Sequence, residues 1–228
     1  MKGGIVMASV TKGNCYLCGA ELGKAAIKNH ILKKHDCKAG QICALLKVEG
    51  AYDKGYWLYV DVPVNRTLEA VDSFLREIWL ECCGHMSGFR TKKEFWDEDT
   101  DMGKAFKVGS FKEGTQLIHE YDYGSTTETL VTFMGTVRRP PQEEAVRLLA
   151  RNVPPKFVCA QCGAEAAYID PLSMWDSENP FYCEECVKEY GNECCLPVTN
   201  SPRMGVCGYC GERDKFAFSK LPFGNERP

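Results

Sequence analysis

Several features that define common classes of protein are missing from this sequence of 228 residues. No apolar stretch reaches the length of about 20 residues that a membrane-spanning helix needs, so we expect no membrane contact. The first residues contain neither a long apolar run nor a secretory cleavage site, which favours a cytoplasmic location. The formal net charge is only -3, so the chain as a whole lacks the positive field typical of nucleic-acid-binding proteins.

Local motifs of the common enzyme classes are also missing. The sequence contains no phosphate-binding loop, no dinucleotide fingerprint and no G-x-S-x-G element. His119, Glu120 and Asp122 are close in sequence, but on a strand His119 would face away from the two acids. We therefore name no catalytic residue, and an enzyme of unknown reaction that uses a groove near Asp122 and Ser125 is kept as one alternative hypothesis.

Positive charge is concentrated near the N-terminus. Residues 1–50 hold eight lysines against three acidic residues, a local charge of +5 that leaves -8 for the remainder. Any contact with a polyanion is therefore expected in this region, through the lysines Lys24, Lys28, Lys33 and Lys34. Side chains that read bases are scarce there, so nucleic-acid binding is an alternative to contact with an unknown protein partner.

Cysteine, by contrast, is abundant, with 14 residues. Many cysteines in a small secreted chain would indicate disulfides, whereas C-x2-C pairs without a secretory signal indicate thiolate metal sites. The first candidate site has the spacing C-x2-C-x11-H-x4-H, one residue short of the commonest two-Cys, two-His zinc finger. Its predicted ligands are Cys15, Cys18, His30 and His35. Cys37 lies two residues beyond His35 and is the rival for the fourth position.

A second candidate site has the spacing C-x2-C-x20-C-x2-C, which is typical of four-thiolate zinc sites. Its predicted ligands are Cys159, Cys162, Cys183 and Cys186. Four thiolates leave no open coordination position, so this site is predicted to be structural. The two sites together predict two zinc ions per chain.

The remaining cysteines leave a third zinc ion possible. The candidates for it are Cys194, Cys195, Cys207 and Cys210, although Cys207 and Cys210 are also rivals of an upstream pair. Adjacent cysteines tend to point apart, which argues against Cys194 and Cys195 in one site. Cys43, Cys82 and Cys83 are interpreted as packing thiols, and His85 as a helix cap or interface residue.

The middle of the chain carries the regular patterns. Tyr56–Val64 is aromatic and β-branched, which predicts a strand. Apolar residues then recur at helical spacing from Val71 to Cys82, with Thr67 as the start signal and Gly84 as the end. Two further strands are predicted around Gly124. The patterns indicate an α+β fold, a central mixed sheet with one or two packed helices, flanked by small zinc-bound modules.

Three regions follow from these patterns: a zinc-finger region at 1–50, an α+β domain at 51–153 and a cysteine-rich zinc-binding region at 154–228. Within 52–213, the stretches "YWLYVDVPVNRTLEAVDSFLREIWL", "YDYGSTTE" and "LPVTNSPRMGVCGYCG" resemble the plasmid pRiA4b Orf-three-like family. The resemblance implies an α+β domain without an assigned activity, with the four cysteines of the second candidate site as its zinc ligands. A zinc-bearing binding or interaction module is the function that we expect.

Overall fold

The structure is a computed structural model that describes residues 12–91, 101–191, 193–212 and 214–216. Its strands are β1 (Lys12–Cys15), β2 (Glu21–Gly23), β3 (Gln41–Gly50), β4 (Trp57–Pro63), β5 (Ser87–Thr91), β6 (Asp101–Met102), β7 (Gln116–Tyr121), β8 (Thr127–Arg139), β9 (Arg147–Asn152), β10 (Tyr168–Ile169), β11 (Phe181–Tyr182) and β12 (Leu196–Pro197). Its α-helices are α1 (Lys24–Lys34), α2 (Leu68–Leu75) and α3 (Glu184–Tyr190). No helix among these residues is long and apolar enough to cross a bilayer.

Within the described residues, nine strands form one large sheet in the order β2-β1-β9-β4-β3-β8-β7-β5-β6. The α+β class predicted from the sequence is confirmed. The pattern predicted a mixed sheet, and every pairing described in this sheet is antiparallel. The predicted hairpin around Gly124 is the β7–β8 pair, in which Tyr121 lies opposite Thr127.

Both faces of the sheet are covered, which explains why β4 is buried along its whole length. On one face, alternate residues such as Leu58 and Val60 pack against α2, together with Leu46 of β3. On the other face, Trp57 and Leu45 pack against α1. Side chains alternate between the faces of a strand, so this double burial accounts for the continuous apolar runs in β3 and β4.

The N-terminal region is built into the main sheet. β1 pairs with β9, placing Cys15 opposite Ala150. Ile27 and Ile31 of α1 are fully buried against the sheet. β3 lies inside the region predicted as residues 1–50, yet it pairs with both β4 and β8 near the centre of the sheet. The region predicted as residues 1–50 therefore contributes three strands, β1, β2 and β3, to the main sheet.

α2 carries the predicted apolar stripe, and its C-terminal end differs from a regular helix. Val71, Leu75 and Trp79 are fully buried, as the helical spacing predicts. After Leu75 the chain widens into a π-helical turn, Arg76–Leu80, in which the amide of Glu81 donates to the carbonyl of Arg76. The helical segment therefore ends at Leu80, before the predicted end at Gly84, and Cys82 lies in the loop that follows.

The C-terminal region consists of a small module and a segment that returns to the main sheet. β10, β11 and β12 form a separate three-stranded sheet. We call residues 200–212 the strap. Ser201 of the strap donates to the carbonyl of Trp79 at 2.6 Å, and Tyr209 donates to the carbonyl of Ile78 at 3.4 Å. Both carbonyls belong to the π-helical turn. The last carbonyls of a helix have no backbone amide within the helix to accept from, so the side chains of the strap cap this helix end.

Arg151 and Asn152, at the end of β9, link the strap to the sheet. Asn152 accepts the amide of Trp57 at 3.0 Å and donates to the side chain of Asn200 at 2.6 Å. Arg151 donates to the Asn200 carbonyl at 2.6 Å and pairs with Glu212 at 2.8 Å. Arg151 and Asn152 are both buried, so their contacts with Asn200 are shielded from water, whereas Glu212 is partly exposed.

The packing of α1 generates a prediction for stability. We expect Ile31→Ala to lower the free energy of unfolding of the whole chain by about 2–5 kcal/mol, because it leaves a cavity under a fully buried side chain. Denaturant unfolding of metal-saturated protein measures this change. Lys33→Ala, at an exposed position of the same helix, is the matched control. A separate early transition with an unchanged main transition would show instead that α1 unfolds independently of the sheet.

Candidate metal centres and binding cavity

The structure brings the four predicted ligands of the first site together. The ligand atoms of Cys15, Cys18, His30 and His35 all lie within 4.8 Å of one another, and we call this group the N-terminal cluster. Cys18 Sγ lies 3.2 Å from His30 Nε2, and Cys15 Sγ lies 3.5 Å from His35 Nε2. One zinc ion with tetrahedral ligands fits these separations.

Local backbone structure positions the first two cysteines. Cys15 ends β1, and a tight turn follows in which the amide of Gly19 donates to the carbonyl of Cys15 at 2.8 Å. Gly19 has a φ of +76°, which favours glycine. Cys37 lies outside the cluster, with its Sγ 3.9 Å from the His35 carbonyl. The geometry thus places His35, and not Cys37, as the fourth member.

A buried ion pair holds the backbone at His35 in place. Arg139 Nη1 donates to the carbonyl of His35, and Arg139 Nε lies 3.2 Å from the carboxylate of Asp61. Asp61 and Arg139 are almost completely buried. The end of α1 is therefore fastened to β4 and β8, which hold Asp61 and Arg139.

The second predicted site also forms one group, which we call the C-terminal cluster. The sulfurs of Cys159, Cys162, Cys183 and Cys186 lie within 4.8 Å of one another, and Cys162 Sγ is 3.6 Å from Cys183 Sγ. Each C-x2-C pair forms a tight turn. In the first, the amide of Gly163 donates to the carbonyl of Cys159 at 3.0 Å; in the second, Cys183 caps α3 by accepting the amide of Cys186 at 3.5 Å.

Electrostatics in the C-terminal cluster favours a bound cation. Desolvation opposes ionisation of Cys159, but backbone amides of Cys162 and Cys183 outweigh it and lower the pKa of this thiol to about 6. Hydrogen bonds with the side chains of Cys183 and Cys162 raise the pKa of Cys186 far above its usual range. The four sulfurs therefore do not ionise together at neutral pH unless a metal ion offsets their repulsion.

A third group was not predicted as a unit. The ligand atoms of Cys82, Cys83, His85 and Cys207 lie within 4.8 Å of one another, and we call this group the bridging cluster. Cys82 packs against the main core, in agreement with its interpretation as a packing thiol, but both Cys82 and Cys83 also lie beside His85 and Cys207. The stretch "CCGH" was the available signal, but its fourth member lies more than 120 residues away.

The other cysteines differ in their surroundings. Within the described part of the chain, Cys194, Cys195 and Cys210 fall outside all three groups, so Cys207 joins a different set from the one predicted. Cys43 is fully buried in the core beneath α1, in agreement with its interpretation as a packing thiol. Burial raises the pKa of Cys43 to about 11, which keeps it protonated.

Asp122 and Ser125, the residues of the enzyme hypothesis, are engaged in internal contacts. Arg203 donates to the Asp122 carboxylate at 2.7 Å and to the Ser125 carbonyl at 3.2 Å. The amide of Gly124 donates to the same carboxylate at 3.0 Å. The hydrogen bond from Arg203 is the main cause that lowers the pKa of Asp122 to about 2. The carboxylate is thus an ionised structural group, and it is not poised to exchange a proton near neutral pH.

His119 is also an internal residue. It is fully buried on β7, and its Nε2 lies 2.7 Å from Asp72 of α2. Burial opposes ionisation of Asp72, but hydrogen bonds from His119 and Lys104 outweigh it and hold the pKa of this carboxyl well below its usual range. Burial lowers the pKa of His119 against the pull of Asp72. The neutral imidazole therefore donates its Nε2 proton to an ionised carboxylate.

A cavity of about 990 Å³ lies between four parts of the chain. They are the loop after β1, the helix α2, the segment 144–148 that leads into β9, and residues 215 and 216. Phe74, Val146, Leu148 and Phe216 form an apolar floor, with the rings of Phe74 and Phe216 edge to face at 5.5 Å. Tyr16 donates to the carbonyl of Phe216 at 2.9 Å, which connects two residues that line the cavity. Exposed charged residues stand at the rim; they include Arg66, Glu69 and Glu144.

Comparison with known proteins gives no function. No family model matches the chain, and no curated protein matches it. A crystal structure of a protein of unknown function from Methanosarcina mazei Go1 is similar, with 15% identity over 55% of this chain and 76% of that one. The TM-score is 0.39, so no argument is drawn from this likeness. The resemblance to the pRiA4b Orf-three-like family stays a prediction.

The Asp72–His119 pair generates a prediction. We expect Asp72→Asn to lower the free energy of unfolding at pH 7 by about 3–5 kcal/mol, because it removes one partner of a buried pair and leaves Lys104 without its carboxylate. Urea unfolding of metal-saturated protein measures the loss. Glu69→Gln, at an exposed position of α2, is the control and should change stability by less than about 0.5 kcal/mol. A loss equal to that of the control would show that the pair contributes little to the fold.

Proposed function

We propose that this chain is a zinc-stabilised binding module that receives an apolar segment of a partner protein in the cavity beside α2. The cavity is the single observation that carries the proposal. Its volume falls within the range of about 300–1,000 Å³ that ligand sites occupy, and an apolar floor with a few polar groups at the rim is the usual composition of such sites. The zinc ions have a structural role in this proposal.

The donor sets support zinc as the metal. Thiolate and imidazole ligands in tetrahedral groups are the preferred set for zinc, whereas magnesium and calcium require oxygen ligands. The N-terminal and C-terminal clusters each offer four such ligands. A full set of four leaves no open coordination position for a substrate or a catalytic water. Bound zinc would supply cross-links that hold short, loop-rich segments in place.

The charged rim of the cavity indicates the chemistry of the partner. Among the exposed rim residues, Glu69 and Glu144 are acidic and Arg66 is basic, so the local excess is negative. Lys215 at the same rim pairs with Glu77 at 2.5 Å, which offsets its charge. A peptide segment with an aromatic or aliphatic anchor next to a basic residue complements this arrangement.

The N-terminal lysines support protein contact over nucleic-acid contact. Lys24 pairs with the buried carboxylate of Glu49. Lys24 lies at the start of α1, the part of the helix that contacts bases in a DNA-binding zinc finger. Lys28 lies 3.9 Å from Glu113. Lys33 and Lys34 are exposed, but two lysines supply only a weak, salt-sensitive phosphate contact. The internal pairing of Asp122 likewise argues against the enzyme alternative.

The metal component is tested by stoichiometry. We expect Cys18→Ser and Cys162→Ser each to lower the zinc content of the purified protein by one ion per chain, because each variant removes a ligand from a different cluster. Elemental analysis against protein concentration measures the ratio. Cys43→Ser is the control, since Cys43 lies outside both clusters and its variant should retain the full content if it folds. An unchanged ratio in Cys162→Ser would exclude the C-terminal cluster as a zinc site.

The cavity is tested by selection and blocking. Random peptides displayed on phage are selected on the wild-type protein, and synthetic versions are titrated by fluorescence anisotropy. We expect Ser73→Trp, which places an indole over the cavity from α2, to weaken binding at least tenfold, or about 1.4 kcal/mol. Asn29→Trp, at an exposed position of α1, is the matched control and should leave affinity unchanged.

The same experiment contains the outcome that would overturn the binding proposal. Selected peptides that bind wild type and Ser73→Trp equally well use another surface, and the cavity then has no role in recognition. Peptides that lack apolar anchors would contradict the proposed partner chemistry even if Ser73→Trp blocked them.

A further inference from the structure

We propose that Cys82, Cys83, His85 and Cys207 bind a further zinc ion, and that this ion fastens the strap to the main sheet. This inference does not depend on the cavity or on its partner. The bridging cluster differs from the other two because its ligands come from distant parts of the chain. Its metal would therefore hold tertiary structure together and would not merely stabilise a local turn.

The separations in the bridging cluster match a tetrahedral zinc site. With zinc–sulfur bonds of about 2.3 Å, two sulfurs of such a site lie about 3.8 Å apart. Cys83 Sγ lies 3.8 Å from Cys82 Sγ and 3.8 Å from Cys207 Sγ. His85 Nε2 lies 3.0 Å from Cys83 Sγ and 3.2 Å from Cys207 Sγ. The group is as compact as the N-terminal cluster, whose spacing follows a zinc-finger pattern.

The hydrogen-bonded loop from 81 to 85 allows the adjacent residues Cys82 and Cys83 to join the same cluster. Gly84 turns the chain with a φ of +81°, and its amide donates to Glu81 Oε1 at 2.6 Å. Tyr121 donates to the same Glu81 oxygen at 3.0 Å and accepts the amide of Cys82 at 3.4 Å. These three hydrogen bonds hold the loop from 81 to 85 and attach it to Tyr121 of β7.

Charged groups around the cluster suit a thiolate site. Arg203 Nη2 lies 3.4 Å from Cys82 Sγ and 2.7 Å from Asp122 Oδ2. The guanidinium of Arg203 therefore places a positive charge beside the Cys82 sulfur. Asp122 Oδ2 also lies 3.4 Å from His85 Nε2. This nitrogen therefore faces two sulfurs and a carboxylate, a setting that a divalent cation stabilises.

The backbone at the cluster is strained in a way that points to a function. Among the described residues, Asp122 and Cys207 are the two non-glycine residues with positive φ, at 66° and 50°. Such conformations are unfavourable for residues with a Cβ atom and persist where the surroundings impose them. Cys207 presents its sulfur to the cluster, and Asp122 holds Arg203 beside it. A metal–sulfur bond at Cys207 would offset the cost of its conformation.

The strap explains what the ion would hold. Arg203, which is fully buried, also donates to Thr127 Oγ1 at 3.0 Å, and Ser201 caps the π-helical turn that leads into Cys82. Cys83 and Cys207 are 124 positions apart, so a shared ion closes a very long loop. Cross-links of long loops restrict the unfolded chain most. The ion therefore connects the end of α2 with the strap at the point where both pack on β7.

Metal content and hydrogen exchange test the inference on the full chain. We expect His85→Gln and Cys207→Ser each to contain one zinc ion less per chain than wild type. In both variants, amides of residues 200–212 should exchange at least tenfold faster by mass spectrometry, whereas amides of α1 should exchange at the wild-type rate. Cys210→Ser is the matched control, because this exposed cysteine lies three positions from Cys207 but outside the cluster.

Two results would overturn the inference. Zinc content equal to wild type in both His85→Gln and Cys207→Ser would show that the cluster binds no zinc. A lost ion with unchanged exchange in the strap would show that the metal does not fasten it. His85→Gln alters a partly exposed side chain, so it keeps the test valid if Cys207→Ser does not fold. The visible spectrum of cobalt-loaded wild type minus that of cobalt-loaded His85→Gln should show the bands of a site with three thiolates and one imidazole, because the N-terminal and C-terminal clusters are the same in both proteins.

Discussion

The hydrogen bonds of Arg151 and Asn152 are the contacts on which the arrangement of the whole chain depends. These residues end β9, where β1 pairs on one side and β4 on the other. Their side chains bind the strap through Asn200 and Glu212. The N-terminal, central and C-terminal parts of the sequence therefore meet at two buried residues. An unpaired polar group at such a position costs about 1–3 kcal/mol, so the three parts stabilise one another.

The chain brings the residues of the three clusters together in two different ways. In the N-terminal and C-terminal clusters, neighbouring cysteines come from one tight turn, and the other members follow within one or two dozen residues. In the bridging cluster, two loops meet only because the strap crosses the end of α2. A metal in the first two would stabilise local structure, whereas one in the third would depend on the completed fold. The order in which such sites fill should therefore follow the order of folding.

The sequence predicted the parts of the fold that rest on local patterns. The helical stripe of Val71, Leu75 and Trp79 is buried as expected, because burial of one helix face imposes a spacing that the sequence must carry. The groups at Cys15 and Cys159 were predictable for a related reason, since a C-x2-C turn brings its two sulfurs together with little help from the rest of the fold. These features need few long-range contacts.

Other features could not be predicted because distant residues determine them. Cys207 reaches Cys83 through the strap, which rests on Asn152 and on the π-helical turn. The position of β3 in the middle of the sheet depends on its pairing with β8, nearly 90 residues further along the chain. The strand pattern predicted only that His119 faces away from Glu120 and Asp122, whereas its burial depends on the partner that Asp72 of α2 supplies. No short stretch of sequence contains this information.

The π-helical turn at Arg76–Leu80 determines how this part of the protein can change length. A π-helical turn contains about one residue more than an α-helical turn, and each completes about one revolution. Loss of one residue here would therefore close a regular α-helical turn, and the chain that follows would keep its direction. Cys82 and Cys83 would still face Cys207. Loss of a second residue would have no extra residue to remove, so it would rotate the cysteine pair by about 100° around the helix axis, away from Cys207.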